Sequence, residues 1–371
     1  MTKPKNLFIL HYPPPVHGAA MIGQYIKNSQ LVNSQLQAKY INLSTSVSVD
    51  EIGKNGLKKW FRYSILIFKT CFYGLFWRPD LVYITLSSHG AGLIKDSAVV
   101  LICRLLRLKH VFHFHNKGVK QYAKTPIGAF LYPFVFKKAE VILLSPCLFG
   151  DIEDFVSTDR VHYCANGIPE FTKDCFEQDN KFCEDKPLEL LFLSNLIASK
   201  GIWEVLHACV LLRNDNMPFH CTLAGGEGDV KSEDVIRFVK THQLESFVKY
   251  LGKVSGITKS QAFQNANVFL HPTKEDCFPL VLLEAMQFGL PIISTYEGAI
   301  PEMVEEGLSG FLIEQNNAQA LVDTIKKYII DPSLVELQGS HNIQKYKKNY
   351  QIAIFEVRFC SVVKNILTKN T

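Results

Sequence analysis

The sequence predicts an α/β protein with two domains, each built on a doubly wound parallel sheet. The chain has 371 residues, and a single hydrophobic core rarely grows beyond about 250–300 residues. Short apolar runs alternate with segments of helical periodicity, which is typical of βαβ units. This alternation stops at 171–187, a polar and acidic stretch that we assign as a linker, and then starts again.

Composition and charge fit an ordered globular protein. Hydrophobic residues make up 47% of the chain and charged residues 20%, unlike disordered proteins. Residues 1–160 contain 20 Lys and Arg against 9 Asp and Glu, a net charge of +11, so the whole-chain charge of +5 hides an acidic second half. A basic half indicates either a solvated basic face or an anionic partner: a membrane surface, a nucleic acid or a phosphorylated substrate.

The N-terminal sequence and the cysteines indicate a cytosolic protein. MTKPKNLFILHYPPP enters a strand directly and breaks at a proline cluster, so we expect no signal peptide. The ten cysteines include no C-x-x-C pair and no Cys/His spacing typical of zinc. We therefore expect reduced cysteines, several of them in the core, and no metal site.

The first half opens with a strand at 6–11, a rigid loop at 12–18 and a helix. This order is typical of the first unit of a doubly wound domain, although the dinucleotide fingerprint G-x-G-x-x-G is absent. Loops at the carboxyl ends of parallel strands face the ligand crevice. His17 and Gly18 are therefore candidate site residues, and the alternative is a turn whose glycine serves only the backbone.

A later strand of the first half, predicted at 110–115, ends at a second candidate group. His115, Asn116 and Lys117 lie at its carboxyl end. His113 and His115 share one face of the strand, so both side chains are expected to point inward. A buried, hydrogen-bonded histidine is the ordinary alternative, and the loop position favours His115 as the functional one.

Residues 54–77 are the least typical segment of the first half. Five apolar residues recur at helical spacing and form an apolar stripe; they are Phe61, Ile65, Phe68, Phe72 and Phe76. Lys58, Arg62 and Lys69 flank the stripe, and the apolar run is too short for the ~20 residues of a membrane span. Two interpretations remain open: a core helix with the stripe buried against the sheet, or an interfacial helix that contacts anionic lipid.

A second α/β series follows the linker. Its strands are predicted at 188–193, 219–224, 248–251, 268–270, 291–294 and 310–313. Loops rich in glycine or charge follow four of them, at 194–201, 225–229, 272–279 and 295–302. Four such loops in one series indicate a phosphorylated ligand, with Lys200 as a point charge for phosphate.

The stretch 269–286, FLHPTKEDCFPLVLLEAM, is the most informative part of the second half. A strand end and a turn lead to two adjacent carboxylates, Glu275 and Asp276, and then to a helix whose first turn is set by Pro279 and which bears Glu284. A helix N-terminus attracts anions. The arrangement suits a ligand with phosphates at one end and sugar hydroxyls at the other.

These motifs resemble those of the retaining glycosyltransferases of family four, the glycosyl transferases group 1. The matching sequences are K-G at 200–201, AGGEG at 224–228, LGKV at 251–254, DCFPLVLLEAM at 276–286 and PIISTYEGAIPEMVEEGLSGFLI at 291–313, with PPPVHGAA and NGI in the first half. The resemblance implies a GT-B fold: two Rossmann-like domains, 1–172 and 187–345, facing a central cleft. It also implies a last helix, within 346–371, that crosses back to pack on the first domain.

By this resemblance, the chain would transfer a sugar from a nucleotide-diphosphate sugar to a saccharide or lipid-linked acceptor, with retention and without a metal or other cofactor. Asp276 and His115 would be catalytic, Lys200 would hold the diphosphate and Glu284 the ribose. The further donor-binding candidates are Asn195, Gly18, Cys277, Phe278, Pro279, Gly225 and Gly226. The acceptor-side candidates are His17, Asn116 and Lys117.

Two departures from the family pattern concern the same region. The first acid of the family's glutamate pair is Asp276, one methylene shorter, and Glu275 would match only after a one-residue shift. Asn195 stands where the family often has an arginine, so one phosphate-binding cation is missing.

The resemblance and the basic first half together predict where in the cell the protein works and in which kind of biosynthesis. We expect a cytoplasmic enzyme of cell-surface polysaccharide biosynthesis, such as that of lipopolysaccharide, peripheral on the inner face of the plasma membrane. The alternative is a non-catalytic nucleotide-sugar or carbohydrate-binding protein on the same scaffold. No motif supports a nucleic-acid partner.

Overall fold

The computed structural model describes residues 3–44, 57–171 and 186–369. It divides the chain into two compact units: a first unit of Met1–Gly167 with Ile352–Thr371, and a second unit of Ile168–Gln351. The linker predicted at 171–187 lies almost wholly outside the described residues, so the domain boundaries assigned from the sequence stay predictions.

The first unit is built on a parallel sheet that has six strands in the described residues, in the order β2-β1-β3-β4-β5-β6. The strands are β1 (Lys5–Leu10), β2 (Gln37–Asn42), β3 (Leu81–Ile84), β4 (His110–His113), β5 (Glu140–Leu143) and β6 (Val161–Tyr163). The interior strands are buried on both faces, which explains their continuous apolar runs. The edge strand β2 is polar and half exposed, and the sequence analysis missed it.

Helices cover this sheet. They are α1 (Gly18–Asn28), α2 (Gln30–Gln35), α3 (Leu57–Phe72), α4 (Gly90–Leu105), α5 (Val119–Tyr122) and α6 (Pro126–Phe136). A π-helical turn, Tyr73–Trp77, extends α3. No helix in the described parts of the chain is long and apolar enough to cross a bilayer.

The second unit has its own parallel sheet, with six strands among the described residues in the order β12-β11-β10-β7-β8-β9. The strands are β7 (Leu188–Leu193), β8 (Phe219–Ala224), β9 (Val248–Tyr250), β10 (Val268–His271), β11 (Ile292–Thr295) and β12 (Gly310–Ile313). Each lies within one residue of its predicted position. The helices are α7 (Ile202–Asn214), α8 (Ser232–Thr241), α9 (Gly256–Gln264), α10 (Leu280–Gln287), α11 (Ile300–Met303), α12 (Ala318–Ile330) and α13 (Ser333–Asn349).

The last helix, α14 (Ile352–Thr368), belongs to the first unit. Its residues Phe355 and Phe359 are fully buried. The ring of Phe359 lies 6.2 Å from that of Phe8 on β1 and 5.4 Å from that of Tyr83 on β3. The chain therefore completes the core of its first unit with its last helix.

The orientation of α3 decides between the two interpretations of 54–77, of which 54–56 lie outside the described residues. All five residues of the apolar stripe are exposed, while Leu66 and Thr70 on the opposite face are buried. The interpretation as a core helix with a buried stripe is therefore wrong for the described part of the segment.

Candidate functional site

The loops after β7 and β8 pack backbone against backbone in the second unit. A Cβ on Gly225 would lie 1.7 Å from the carbonyl oxygen of Ser194, and φ at Gly225 is 155°, which favours glycine. Tyr250 on β9 donates its hydroxyl hydrogen to the Gly225 carbonyl at 2.9 Å. The fold thus requires glycine at this position.

Gly226, the next residue, has a different role. The atoms nearest to a Cβ built there would be Lys253 Cδ at 3.5 Å and Asn195 Oδ1 at 3.6 Å. These are ordinary van der Waals distances, so the fold leaves room at Gly226. In the loop after β8, Gly225 is therefore fixed by backbone packing, whereas Gly226 borders the exposed residue Asn195.

Lys200 comes from the short 3-10 turn Ala198–Lys200, just before α7. Gly201 follows with φ at 88°, and a Cβ there would lie 2.2 Å from the carbonyl oxygen of Pro272. This close approach holds the loop after β7 against the loop after β10. Lys200 Nζ consequently donates to Asp276 Oδ2 at 2.7 Å and to the Glu275 carbonyl at 2.8 Å.

Asp276 is held by a second donor, His271, at the end of β10. His271 Nε2 lies 3.1 Å from the same oxygen, Asp276 Oδ2, and its side chain is 2% exposed. Burial alone would raise the pKa of Asp276, but the hydrogen bond and charge of His271 and then those of Lys200 outweigh it and lower that pKa below 3.8. Asp276 is therefore a carboxylate at neutral pH that accepts hydrogen bonds from two side-chain donors.

The neighbouring acids are arranged differently. The side chain of Glu275 is exposed, so it is Asp276 that the structure brings to Lys200. The buried Glu297, after β11, accepts the backbone N–H of Asp276 at 3.1 Å through Oε1. The loop carboxylate is thus positioned through both its side chain and its backbone.

Glu284 lies on α10, and it pairs with Lys259 of α9 at 2.7 Å rather than with the Lys200–Asp276 group. Pro279 has extended backbone and caps the helix, which begins at Leu280, one residue later than predicted. Cys277 and Phe278, in the loop before the helix, are buried. These two candidates line the core side of the loop.

The first unit gathers histidines at the ends of β1 and β4. His113 shares a 2.5 Å hydrogen bond with the Tyr83 hydroxyl, and its ring lies 4.2 Å from that of His115. Neither ring nitrogen of His115 has a hydrogen-bond partner among the described residues. Burial, followed by the charge of His17, lowers the pKa of His115 to about 3. His115 is therefore a neutral imidazole with two buried ring nitrogens that have no partner in the described parts of the chain.

The other first-unit candidates contribute to local structure. His17 Nδ1 accepts the backbone N–H of Ala20 at 3.3 Å and caps α1, which Gly18 opens. Asn116 Oδ1 accepts the backbone N–H of Ser88 at 3.2 Å, and the carbonyl of the following Lys117 accepts the Ser88 hydroxyl at 2.8 Å. The turn after β4 is therefore fixed by hydrogen bonds.

Sequence reasoning did not single out His271, Lys259, Glu297 or Tyr250. His271 directly precedes Pro272, and an imidazole at the end of a buried strand is a signal that could have found it. Lys259 and Glu297 left no local signal, because their partners are distant in sequence. In the described ranges, no group of three or more His, Cys, Asp or Glu side chains is placed to hold a metal ion.

Comparison with known proteins finds a family match within the second unit. Residues 176–350 match the family described as glycosyl transferases group 1. The putative colanic acid biosynthesis glycosyltransferase WcaL of Salmonella typhimurium is 27% identical over 188 residues, which cover 48% of this chain and 46% of WcaL. The capsular polysaccharide biosynthesis glycosyltransferase CapM of Staphylococcus aureus is 27% identical over 74% of each chain. The chain thus spans less than half the length of WcaL and about three quarters of CapM.

Solved structures share the fold along nearly the whole chain. Sucrose-phosphate synthase from Thermosynechococcus elongatus superposes with a TM-score of 0.73 at 16% identity, covering 98% of this chain and 99% of that one. The Anabaena protein Alr3699/HepE, solved in complex with UDP and glucose, gives 0.71 at 16% identity, covering 98% and 100%. These findings confirm the GT-B fold that the motifs indicated, and residues 176–350 are similar to the glycosyl transferases group 1 family.

Proposed function

We propose that the protein is a retaining glycosyltransferase. It moves a sugar from a nucleotide-diphosphate sugar to a saccharide or lipid-linked acceptor during the biosynthesis of a cell-surface polysaccharide. The observation that carries the proposal is the Lys200–Asp276–His271 group at the carboxyl end of β10, inside the group 1 domain. The names of the relatives WcaL and CapM, and the UDP and glucose bound by Alr3699/HepE, support the reaction class.

Lys200 is proposed to stabilise the departing diphosphate. Its ammonium group has three N–H donors. Two of them are used by Asp276 and the Glu275 carbonyl, and the third is left for a phosphate oxygen. Charge that develops on the leaving group then meets a cation already fixed in place, so little reorganisation is needed.

Asp276 and Glu284 are proposed to bind the sugar and the ribose respectively. Asp276 remains ionised through its two donors, so it can orient hydroxyls and stabilise positive charge as the glycosidic bond breaks. Glu284 uses Oε1 for Lys259, and its Oε2 has no hydrogen-bond partner among the described residues. That oxygen can accept a ribose hydroxyl without losing the ion pair.

His115 is proposed to act as a neutral hydrogen-bonding group at the donor sugar. A charged imidazole would compete with the positive charge that develops on the sugar, and burial prevents this by lowering the pKa to about 3. The proposal includes no divalent metal, since Lys200 supplies the charge at the phosphates. The proposed location is cytoplasmic, at the inner face of the plasma membrane.

A thermal-shift screen tests the donor assignment. Ligands that bind the native state raise its Tm, so UDP, GDP and ADP with their sugars should give one clear responder. Turnover with that donor, measured as nucleotide release with and without EDTA, should survive chelation and fall by about 10²–10³ in Lys200→Ala. Binding without turnover on any saccharide or lipid-linked acceptor would instead favour the non-catalytic binding protein.

A further inference from the structure

An apolar surface of the first unit is exposed, and nothing in the described ranges 3–44, 57–171 and 186–369 covers it. The apolar stripe (Phe61, Ile65, Phe68, Phe72 and Phe76) lies along the outer side of α3 and its π-helical turn. Phe61 and Phe68 are each 69% exposed, and Phe76 is 76% exposed. At about 200 Å² per ring, the four phenylalanines together present roughly 500 Å² of apolar surface. This is at the upper end of what a soluble monomer leaves uncovered.

The packing of the first unit fixes this orientation. Leu66 and Thr70, on the inner side of α3, are buried. Tyr63 donates its hydroxyl hydrogen to the Lys95 carbonyl of α4 at 2.9 Å. A Cβ on Gly74 would lie 2.6 Å from Leu106 Cδ1, so the π-helical turn packs closely against the end of α4. Rotating α3 to bury its stripe would break all of these contacts.

The charges beside the stripe have one sign. From 57 to 78 the sequence contains five Lys and Arg and no Asp or Glu. Lys58, Lys69 and Arg78 are exposed. Lys58 and Lys69 are eleven residues apart, about three helical turns, so they lie on the same flank of the stripe. An apolar face with cations along its edge is the pattern of helices that lie in the interface of an anionic membrane.

We propose that the apolar stripe docks the protein on an anionic lipid bilayer. The aromatic rings would enter the boundary between headgroups and acyl chains, while Lys58 and Lys69 pair with lipid phosphates. Charge complementarity favours lipid over a second copy of this chain. Symmetric pairing of two stripes would bring cations against cations, and the 57–78 sequence offers no carboxylate to compensate.

This surface lies on the first unit, whereas the proposed donor-binding residues Lys200, Asp276 and Glu284 lie on the second. The two proposals can therefore fail separately. Thermal shift by the donor nucleotide reports on the second unit, and vesicle binding reports on the stripe. If both hold, the enzyme works on the surface in which a lipid-linked acceptor resides.

Flotation of the full chain with vesicles is the direct test. The protein should float with vesicles of equal parts phosphatidylglycerol and phosphatidylcholine at low salt, and much less with phosphatidylcholine alone. The triple variant Phe61→Ser/Phe68→Ser/Phe72→Ser should lose flotation but keep its nucleotide thermal shift. A matched variant, Ile257→Ser/Ile330→Ser/Leu337→Ser, removes three exposed apolar side chains of the second unit and should float like the wild type.

Charge variants separate the electrostatic part of binding. Each cation near an anionic surface contributes about 1 kcal/mol, or about fivefold. Lys58→Gln/Lys69→Gln should therefore lower the partition coefficient about 25-fold at low salt, and Lys58→Arg/Lys69→Arg should leave it unchanged.

Three results would overturn the proposal. One is wild-type protein that stays unbound to anionic vesicles at low salt, where screening is weakest. Another is a Phe61/Phe68/Phe72 variant that floats as well as the wild type. The third is a concentration-dependent dimer in sedimentation that the wild type forms and this variant does not, since the stripe would then be an interface between copies of the chain.

Discussion

If the proposed transferase activity depends on ionised Asp276, replacing His271 by leucine should raise the pH below which that activity is lost. The ring is 2% exposed, and its Nε2 lies 3.1 Å from Asp276 Oδ2. Its Nδ1 has no partner among the described residues, so the substitution removes one hydrogen bond and strands no other group. Asp276 then keeps Lys200 as its single strong donor while remaining mostly buried.

The size of the shift follows from the energy of that hydrogen bond. A hydrogen bond to a charged group is worth about 1.5–3 kcal/mol, and one pKa unit corresponds to about 1.4 kcal/mol. Because burial raises the pKa of Asp276 and His271 is the largest opposing influence, its removal should raise that pKa by about 1–2 units. The acidic limb of kcat/KM should move upward by the same amount.

The substitution should also change how the free energy of unfolding depends on pH. The pKa of folded Asp276 is lowered from 3.8, so its ionised form stabilises the fold above that pH. This contribution disappears as the pH falls through the folded pKa. In His271→Leu the folded pKa moves back toward its ordinary value, so less of this stabilisation remains. The variant should have a lower Tm than the wild type at neutral pH, and the two Tm values should approach each other on acidification.

The assay is the pH profile of nucleotide release, with the donor found by thermal shift. His220→Leu is the matched control, because His220 also contacts a carboxylate, Glu189, at 2.9 Å, but on the exposed surface. Such surface pairs are worth about 0–1 kcal/mol, so this variant should keep the wild-type profile. Identical acidic limbs in wild type and His271→Leu would refute the positioning of Asp276 by His271.

Two further outcomes are expected in the second unit. Gly225→Ala should lower the free energy of unfolding, measured in urea, by about 2–4 kcal/mol, because the new Cβ meets backbone in a φ region that alanine disfavours. Gly226→Ala should change it by less than about 1 kcal/mol. Equal losses in the two variants would contradict the difference between the two glycines. Lys259→Met should weaken nucleotide binding about 3–10-fold, or about 1 kcal/mol, because Glu284 loses its partner. Lys326→Met, which breaks a surface pair, is the control, and an equal effect in both variants would argue against a role for Glu284 at the ribose.

The second sheet was predictable from sequence because its strands are buried, apolar and bounded by glycine and proline. β2 was not predictable, because an edge strand such as QAKYIN has a single buried residue and shows no apolar run. The helical spacing of its apolar residues predicted the stripe on α3. That spacing does not tell whether the stripe faces the core or the solvent. Only packing partners such as Leu106 decide that.

The individual residues of the site could be predicted from the sequence, but their contacts could not. Lys200 and Asp276 stood out because they lie in loops that follow strands, and Glu284 because it lies on the helix of a recognisable motif. The contacts between them were not predictable, since Lys200 Nζ meets Asp276 only where Gly201 lets two loops touch. Lys259 lies 25 residues from its partner Glu284, and no local pattern connects the two.

The return of α14 to the first unit has a consequence for synthesis on the ribosome. The second unit is contiguous in the chain, so it can fold as soon as 168–351 has emerged. The first unit begins earlier but stays incomplete until Phe355 and Phe359 arrive, so Phe8 of β1 and Tyr83 of β3 lack the ring of Phe359 until translation is nearly finished. The half that is made first is thus finished last, and a stop codon shortly after 351 would damage the N-terminal half while sparing the second.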